Sequence, residues 1–92
     1  MKSYWQRKLE SLTKSISRKR ESLRTRDFVL TRRENNRYAE QGHIQTPETI
    51  HRTAERLGWE ITAEETERDT LVAAIAAQAL ADKRRLARRS EP

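Results

Sequence analysis

The sequence contains no cysteine and very little glycine or proline. Without cysteine there can be no disulfide, thiolate metal site or cysteine nucleophile, and nothing points to an oxidising compartment, so we expect a cytoplasmic protein. The two glycines and two prolines are Gly42, Pro47, Gly58 and Pro92. Because these residue types are the strongest breakers of regular structure, the interior breaks are expected between residues 42 and 62.

Long hydrophobic runs and catalytic motifs are missing as well. The longest apolar run, Leu71 to Ala81, is interrupted by Gln78 and is too short to cross a hydrocarbon layer of about 30 Å. No nucleophile elbow, phosphate-binding glycine loop or Cys/His cluster occurs. Glu48 and His51 have the Glu-x-x-His spacing of di-metal bundles but lack the further ligands such sites need. We therefore expect no enzyme activity, no metal and no cofactor.

The composition predicts a thin core. Only 34% of the residues are hydrophobic and 37% are charged, and a chain this short buries only about 60–65% of the surface that its unfolded form exposes. A single domain, residues 1 to 92, is expected, and self-association or a permanent protein partner would add the missing burial.

The first helix is expected over about residues 3 to 41. Apolar residues follow alternating spacings of four and three, with Lys19 and Arg26 at positions where the pattern favours apolar side chains. Thr31 and Glu34 have the spacing of a capping box, so a break near residues 28 to 31 is the alternative to one continuous helix. Gly42 is the expected stop.

Two further helices are expected after Gly42. Thr46-Pro47-Glu48 is typical of a helix start, which predicts helix 2 over about 47 to 57 with Gly58 ending it. Thr62 and Glu65 have capping-box spacing, which predicts helix 3 over about 63 to 89. The predicted fold is all-α: an elongated antiparallel hairpin or bundle of two long helices with a short helix between them.

Apolar residues on the two long helices are predicted to form seams, within one chain or between copies. An Ala-rich run, residues 73 to 77, would let another backbone approach closely, as in an isologous dimer. The predicted interface residues are Trp5, Leu9, Leu12, Ile16, Leu23, Val72, Ile75, Ala76 and Ala79.

Two basic segments are the sharpest functional signal. Residues 18 to 37 hold eight Lys/Arg against three Asp/Glu, and arginine, which suits bidentate contacts to phosphate, outnumbers lysine seven to one. A second cluster follows Asp82. The predicted nucleic-acid contacts are Arg18, Lys19, Arg20, Arg24, Arg26, Arg32, Arg33, Asn36, Arg37, Lys83, Arg84, Arg85, Arg88 and Arg89.

The leading hypothesis is a non-catalytic nucleic-acid-binding accessory protein that grips phosphates with little base specificity. The alternative is a helical adaptor or inhibitor that docks on an acidic protein surface. Other open alternatives are neutralisation of the bases by the acidic start of helix 3, and a peripheral contact of the N-terminal helix with an anionic membrane. In size, charge and lack of chemistry the chain resembles accessory proteins of phages and mobile elements, which is a likeness of composition and not of motif.

Overall fold

The computed structural model describes residues 3–90, with side chains through residue 89. It contains α1 (Tyr4–Thr25), α2 (Arg32–Ala39) and α3 (Pro47–Ser90), and no strand occurs in this described range. The all-α prediction is confirmed. None of these helices combines the length and apolar character needed to span a bilayer.

The chain forms two helices where one was expected over residues 3 to 41. The first begins at a capping box in which the Gln6 amide donates to Ser3 Oγ (3.3 Å) and the Ser3 amide donates to Gln6 Oε1 (3.1 Å). It ends at Thr25 because Arg26 adopts the left-handed conformation (φ 54°, ψ 39°). The Glu34 amide then donates to Thr31 Oγ1 (3.2 Å) and starts α2. One continuous rod is therefore wrong, and the alternative of a break near residues 28 to 31 is confirmed, because both ends of the 26–31 link are locally capped.

The third helix is continuous where the sequence predicted two. Gly58 does not end a helix, and Thr62 does not start one: its hydroxyl donates to the Gly58 carbonyl (3.0 Å) inside α3. A mid-helix glycine costs about 1 kcal/mol relative to alanine. The continuous helix offsets this cost because it keeps Leu57, Ile61 and Leu71 on one helical face, where Ile61 and Leu71 are buried. The short helix between the two long ones is therefore α2, and not a helix at 47 to 57.

The core lies between α1 and α3, where Ile16, Ile61 and Leu71 are buried. The radius of gyration is 21.6 Å and the longest dimension is 78 Å, whereas a compact chain of this length would have a radius near 12 Å. The accessible surface is 8079 Å², against roughly 5,600 Å² for a globular monomer of the same mass. The molecule is an extended, all-helical chain with one packed helix pair.

Candidate nucleic-acid interface

A polar layer interrupts the apolar seam between α1 and α3. Lys19, which lies where the α1 pattern favours an apolar residue, pairs with Glu64 at the matching position of α3 and with Glu60 at 3.3 Å. Ser15 Oγ also donates to Glu64 Oε1 (3.0 Å). Only 26% of the Lys19 side chain and 20% of the Glu64 side chain are exposed. This pair uses the charge of Lys19 inside the fold, so a polyanion has little access to it.

The hydrogen bond and charge of Lys19 favour the ionised form of Glu64. The hydrogen bond from Lys19 lowers the pKa of Glu64 below its ordinary value, helped by the Ser15 hydroxyl and opposed by partial burial. The same hydrogen bond raises the pKa of Lys19. Both side chains are therefore charged across the neutral pH range. The other carboxylate oxygen of Glu64, Oε2, is buried and makes no hydrogen bond with the described residues.

Further ion pairs neutralise more of the predicted basic stretch. Arg20 Nη2 lies 2.5 Å from Glu65 Oε1, and Lys8 Nζ lies 3.1 Å from Glu67 Oε1. Arg24 forms two hydrogen bonds with Glu21 within α1, at 2.5 and 3.0 Å. Neutralisation by the acidic start of helix 3, the alternative left open from the sequence, therefore accounts for two of the predicted contacts, Lys19 and Arg20, while Arg24 is paired within α1.

The side of α1 turned away from α3 carries a row of exposed cations. At 100° per residue, Arg7, Lys14 and Arg18 fall within about 40° of one line along the helix. All three are exposed, and none forms an ion pair with any residue of the described range, although the charge of Arg18 helps to lower the pKa of Glu64 on α3. We call these three residues the outer row. Sequence reasoning selected only Arg18, although the spacings of seven and four residues would have identified Arg7 and Lys14.

The exposed side of α2 carries four of the predicted contacts. Arg32, Arg33, Asn36 and Arg37, which we call the α2 basic face, lie within an arc of about 140°. All four are exposed, and within residues 3–90 its three arginines have no ion-pair partner. Arg26 is likewise exposed and unpaired in the link before α2. This surface is free to bind a polyanion.

A hydrogen-bonded clamp fixes the position of α2. The side chain of Asn35 donates to the Gln45 carbonyl (3.0 Å) and accepts from the Gln45 amide (2.8 Å). The Gln45 side chain accepts from the Leu30 amide (2.6 Å) and donates to the Phe28 carbonyl (2.8 Å). Asn35 is therefore a structural residue, while its exposed neighbour Asn36 remains available. No sequence motif indicated this clamp, because its partners are 10 to 17 residues apart.

The last turns of α3 form the third cationic surface. Five cationic residues after Asp82, which we call the C-terminal patch, are all exposed. They make no ion pair with residues that the structure describes. The nearest acid in sequence, Asp82, accepts a hydrogen bond from Gln78 (3.1 Å). The patch consists of Lys83, Arg84, Arg85, Arg88 and Arg89.

The predicted apolar interface divides into two sets. Ile16 is buried, and Leu9, Leu12, Leu23 and Ile75 are half-buried. These five residues therefore lie on the faces where α1 and α3 pack against each other. A groove of about 480 Å³ brings Trp5, still 54% exposed, beside Ile75 and Ala79. Val72 and Ala76 are exposed on a different side of α3. The described residues thus cover only part of the predicted seam.

The histidine with metal-like spacing takes part in ordinary helical pairs. His51 Nε2 lies 2.9 Å from Glu55 Oε1, and Glu48 accepts from Arg52 (2.8 Å). Across residues 3–90, no three side chains of the types His, Cys, Asp and Glu come together in the way a metal ion requires.

The chain matches no protein-family model, no curated protein and no solved structure.

Proposed function

We propose that this chain is a non-catalytic, cytoplasmic nucleic-acid-binding accessory protein that contacts phosphates through cations left unpaired by its own fold. The observation that carries the proposal is the division of the cations into two groups. Those near α3 pair with its acids, as Lys8, Lys19 and Arg20 do. The outer row, the α2 basic face and the C-terminal patch are exposed and make no ion pair with described residues.

The order of the cross-helix pairs supports an antiparallel hairpin of α1 and α3. Lys8 pairs with Glu67 while Lys19 pairs with Glu60, so rising numbers on α1 meet falling numbers on α3. In this arrangement the start of α1 lies beside the C-terminal patch, in keeping with the groove shared by Gln6 and Asp82. The unpaired cations would then follow one another along the molecule, from the C-terminal patch through the outer row towards α2.

The residue types on this track suit phosphate better than a general acidic surface. Arginine presents a planar fork that binds phosphate oxygens in pairs, and the α2 basic face contains three arginines and no lysine. Exposed Asn36, on the same face, adds a side chain that hydrogen-bonds to nucleotides. Because phosphate contacts position a protein without reading bases, we expect weak sequence preference.

Salt dependence of binding tests this proposal. The triple variant Arg32→Gln, Arg33→Gln, Arg37→Gln removes the cations of the α2 basic face without touching the clamp. Three lost phosphate contacts should reduce the slope of log K against log salt by about 2 to 3. The slope is measured by fluorescence anisotropy at salt concentrations from about 25 to 200 mM. The probes are labelled single-stranded and duplex DNA and RNA of about 20 nucleotides.

A matched control removes the same charge from arginines that already have partners. Arg24→Gln, Arg52→Gln, Arg56→Gln alters exposed cations that pair with acids on their own helix. This control should change the slope by less than about 1, because each of these arginines already has a carboxylate beside it. Equal slopes for the two triple variants, or no binding of the parent to any probe at low salt, would refute the proposal.

A protein adaptor or inhibitor is the second candidate. It is favoured by aromatic side chains that the fold leaves in solvent: Trp59 is 78% exposed and Tyr4 is 67% exposed. Tryptophan and tyrosine are enriched where protein interfaces gain most of their binding energy. Saturable one-to-one binding to a single protein that survives nuclease treatment and is lost in Trp59→Ala would favour this candidate.

A further inference from the structure

The side of α3 between Asp69 and Lys83 exposes an apolar stripe that α1 does not cover. Val72 is 47% exposed and Leu80 is 50% exposed, and Ala76 lies between them, also exposed. At 100° per residue these five positions share an arc of about 80°, turned by roughly 100° from the face that packs on α1. Two large aliphatic side chains on one stripe cost free energy in water, so burial against a complementary surface would stabilise the molecule.

The charges that end the stripe select its partner. Asp69 lies seven residues before Ala76 and Lys83 seven after, while Val72 and Leu80 lie four residues on either side. A two-fold axis through Ala76 would place Asp69 of one copy beside Lys83 of the other, twice, and Val72 beside Leu80. We propose that a second copy of this chain docks here in the antiparallel direction.

The exposure and ion pairing of Asp69 and Lys83 fit this antiparallel arrangement. The Asp69 side chain is 73% exposed, and its ion pair is with the adjacent Arg68 at 3.5 Å. Lys83 is exposed and forms no ion pair with the described residues. A parallel pairing would instead bring like charges together at both ends, which costs free energy. The charges of Asp69 and Lys83 therefore favour the antiparallel direction. The equal spacing of the stripe residues on either side of Ala76 gives the position of the two-fold axis.

The stripe is short, so the dimer is weak. From residue 69 to residue 83 the helix rises about 21 Å, and two helices in contact over that length bury less than the roughly 1,200 Å² of a stable specific interface. We therefore expect weak, reversible association. The remaining four residues of the C-terminal patch lie outside the stripe, so dimerisation leaves them available and does not depend on the proposed function.

Charge exchange across the axis is the decisive experiment. Asp69→Lys or Lys83→Asp alone turns two attractions per dimer into two repulsions, and sedimentation equilibrium should show a dissociation constant about 10-fold higher, within the range of exposed ion pairs. The double variant Asp69→Lys, Lys83→Asp restores the attraction and should return to the parent value. Arg84→Asp, which makes the same charge change next to the stripe, should remain within about 2-fold of the parent.

Cross-linking tests the position of the axis. Because the chain has no cysteine, one introduced thiol reports a single contact. With oxidised glutathione, Ala76→Cys should form a disulfide-linked dimer, whereas Ala77→Cys, turned by about 100°, should form no disulfide between copies. A parent that is monomeric at millimolar concentration, equal cross-linking of the two variants, or a double charge variant as weak as the single ones would overturn the proposal.

Discussion

Gly58→Ala gives the sharpest test of the continuous third helix. In the structure Gly58 lies inside α3, and a Cβ built there meets nothing within 4 Å. Alanine should therefore be accepted without a clash and should stabilise the helix. If Gly58 instead ended a helix, as the sequence suggested, a left-handed conformation would be expected there, and the same substitution would be unfavourable.

The size of the effect follows from backbone propensity. Alanine exceeds glycine by about 0.8 to 1 kcal/mol in a helix interior, and the new methyl group makes no close contact that would add to this gain. For a chain of this length, about 1 kcal/mol raises the midpoint of thermal unfolding by roughly 4 to 8 °C. Alanine at a left-handed position would cost about 1 to 2 kcal/mol instead, so the two arrangements predict opposite signs.

Circular dichroism at 222 nm during thermal and urea unfolding measures the change. Gly42→Ala is the matched control because it is the same substitution at a residue with φ +84°, also with open space around the added Cβ. This control should destabilise the protein by about 1 kcal/mol. A lower unfolding midpoint for Gly58→Ala would refute a continuous α3, whereas a higher midpoint for Gly42→Ala would contradict the left-handed conformation of the control residue.

Two further predictions concern the α1 terminus and the polar layer of the seam. Arg26→Gly should stabilise the protein by about 0.5 to 1 kcal/mol because Arg26 is exposed with φ 54°, and no stabilisation in urea melts would argue against this left-handed turn. Glu64→Gln should be less stable than the parent at neutral pH. Since folding lowers the pKa of Glu64 from its ordinary 4.5, that difference should be present above pH 4.5 and shrink as the pH falls through the lowered pKa; urea melts from pH 3 to 7 that show a constant difference would contradict the stated cause.

Local signals in the sequence located several helix ends correctly. The Thr46-Pro47 start was found because the groups that satisfy a free helix end lie within three residues of it: the Thr49 amide donates to Thr46 Oγ1 (3.2 Å). The Thr31 and Glu34 pair is equally local. The same pattern failed at Thr62 and Glu65, where the Thr62 hydroxyl donates to the Gly58 carbonyl within α3 and a tertiary contact takes the Glu65 side chain. Glu65 pairs with Arg20 of α1, and no property of the local sequence reveals that partner.

The candidate interface shows the same division between local and long-range information. Exposure of the C-terminal patch followed from its dense charge, since a run of like charges has no neighbours to neutralise it. The ion pairs that neutralise Lys19 and Arg20 could not be predicted in the same way, because they form only when α1 packs on the acidic part of α3, 45 residues away. Lys19 nevertheless carried a visible signal, because a charged residue at a seam position requires a partner of opposite charge on the facing helix.

The separation of paired and unpaired cations also bears on how salt acts on this molecule. Exposed ion pairs contribute only about 0 to 1 kcal/mol each, and the buried residues of the seam, Ile16, Ile61 and Leu71, are apolar. Screening should therefore weaken the fold only slightly, whereas phosphate binding through unpaired arginines should fall steeply with salt. Loss of binding near 200 mM salt with an unchanged circular dichroism spectrum would assign the effect to the exposed cations. Simultaneous loss of helicity would instead mean that the cross-helix ion pairs hold α1 on α3, and the salt slope could no longer be attributed to phosphate contacts alone.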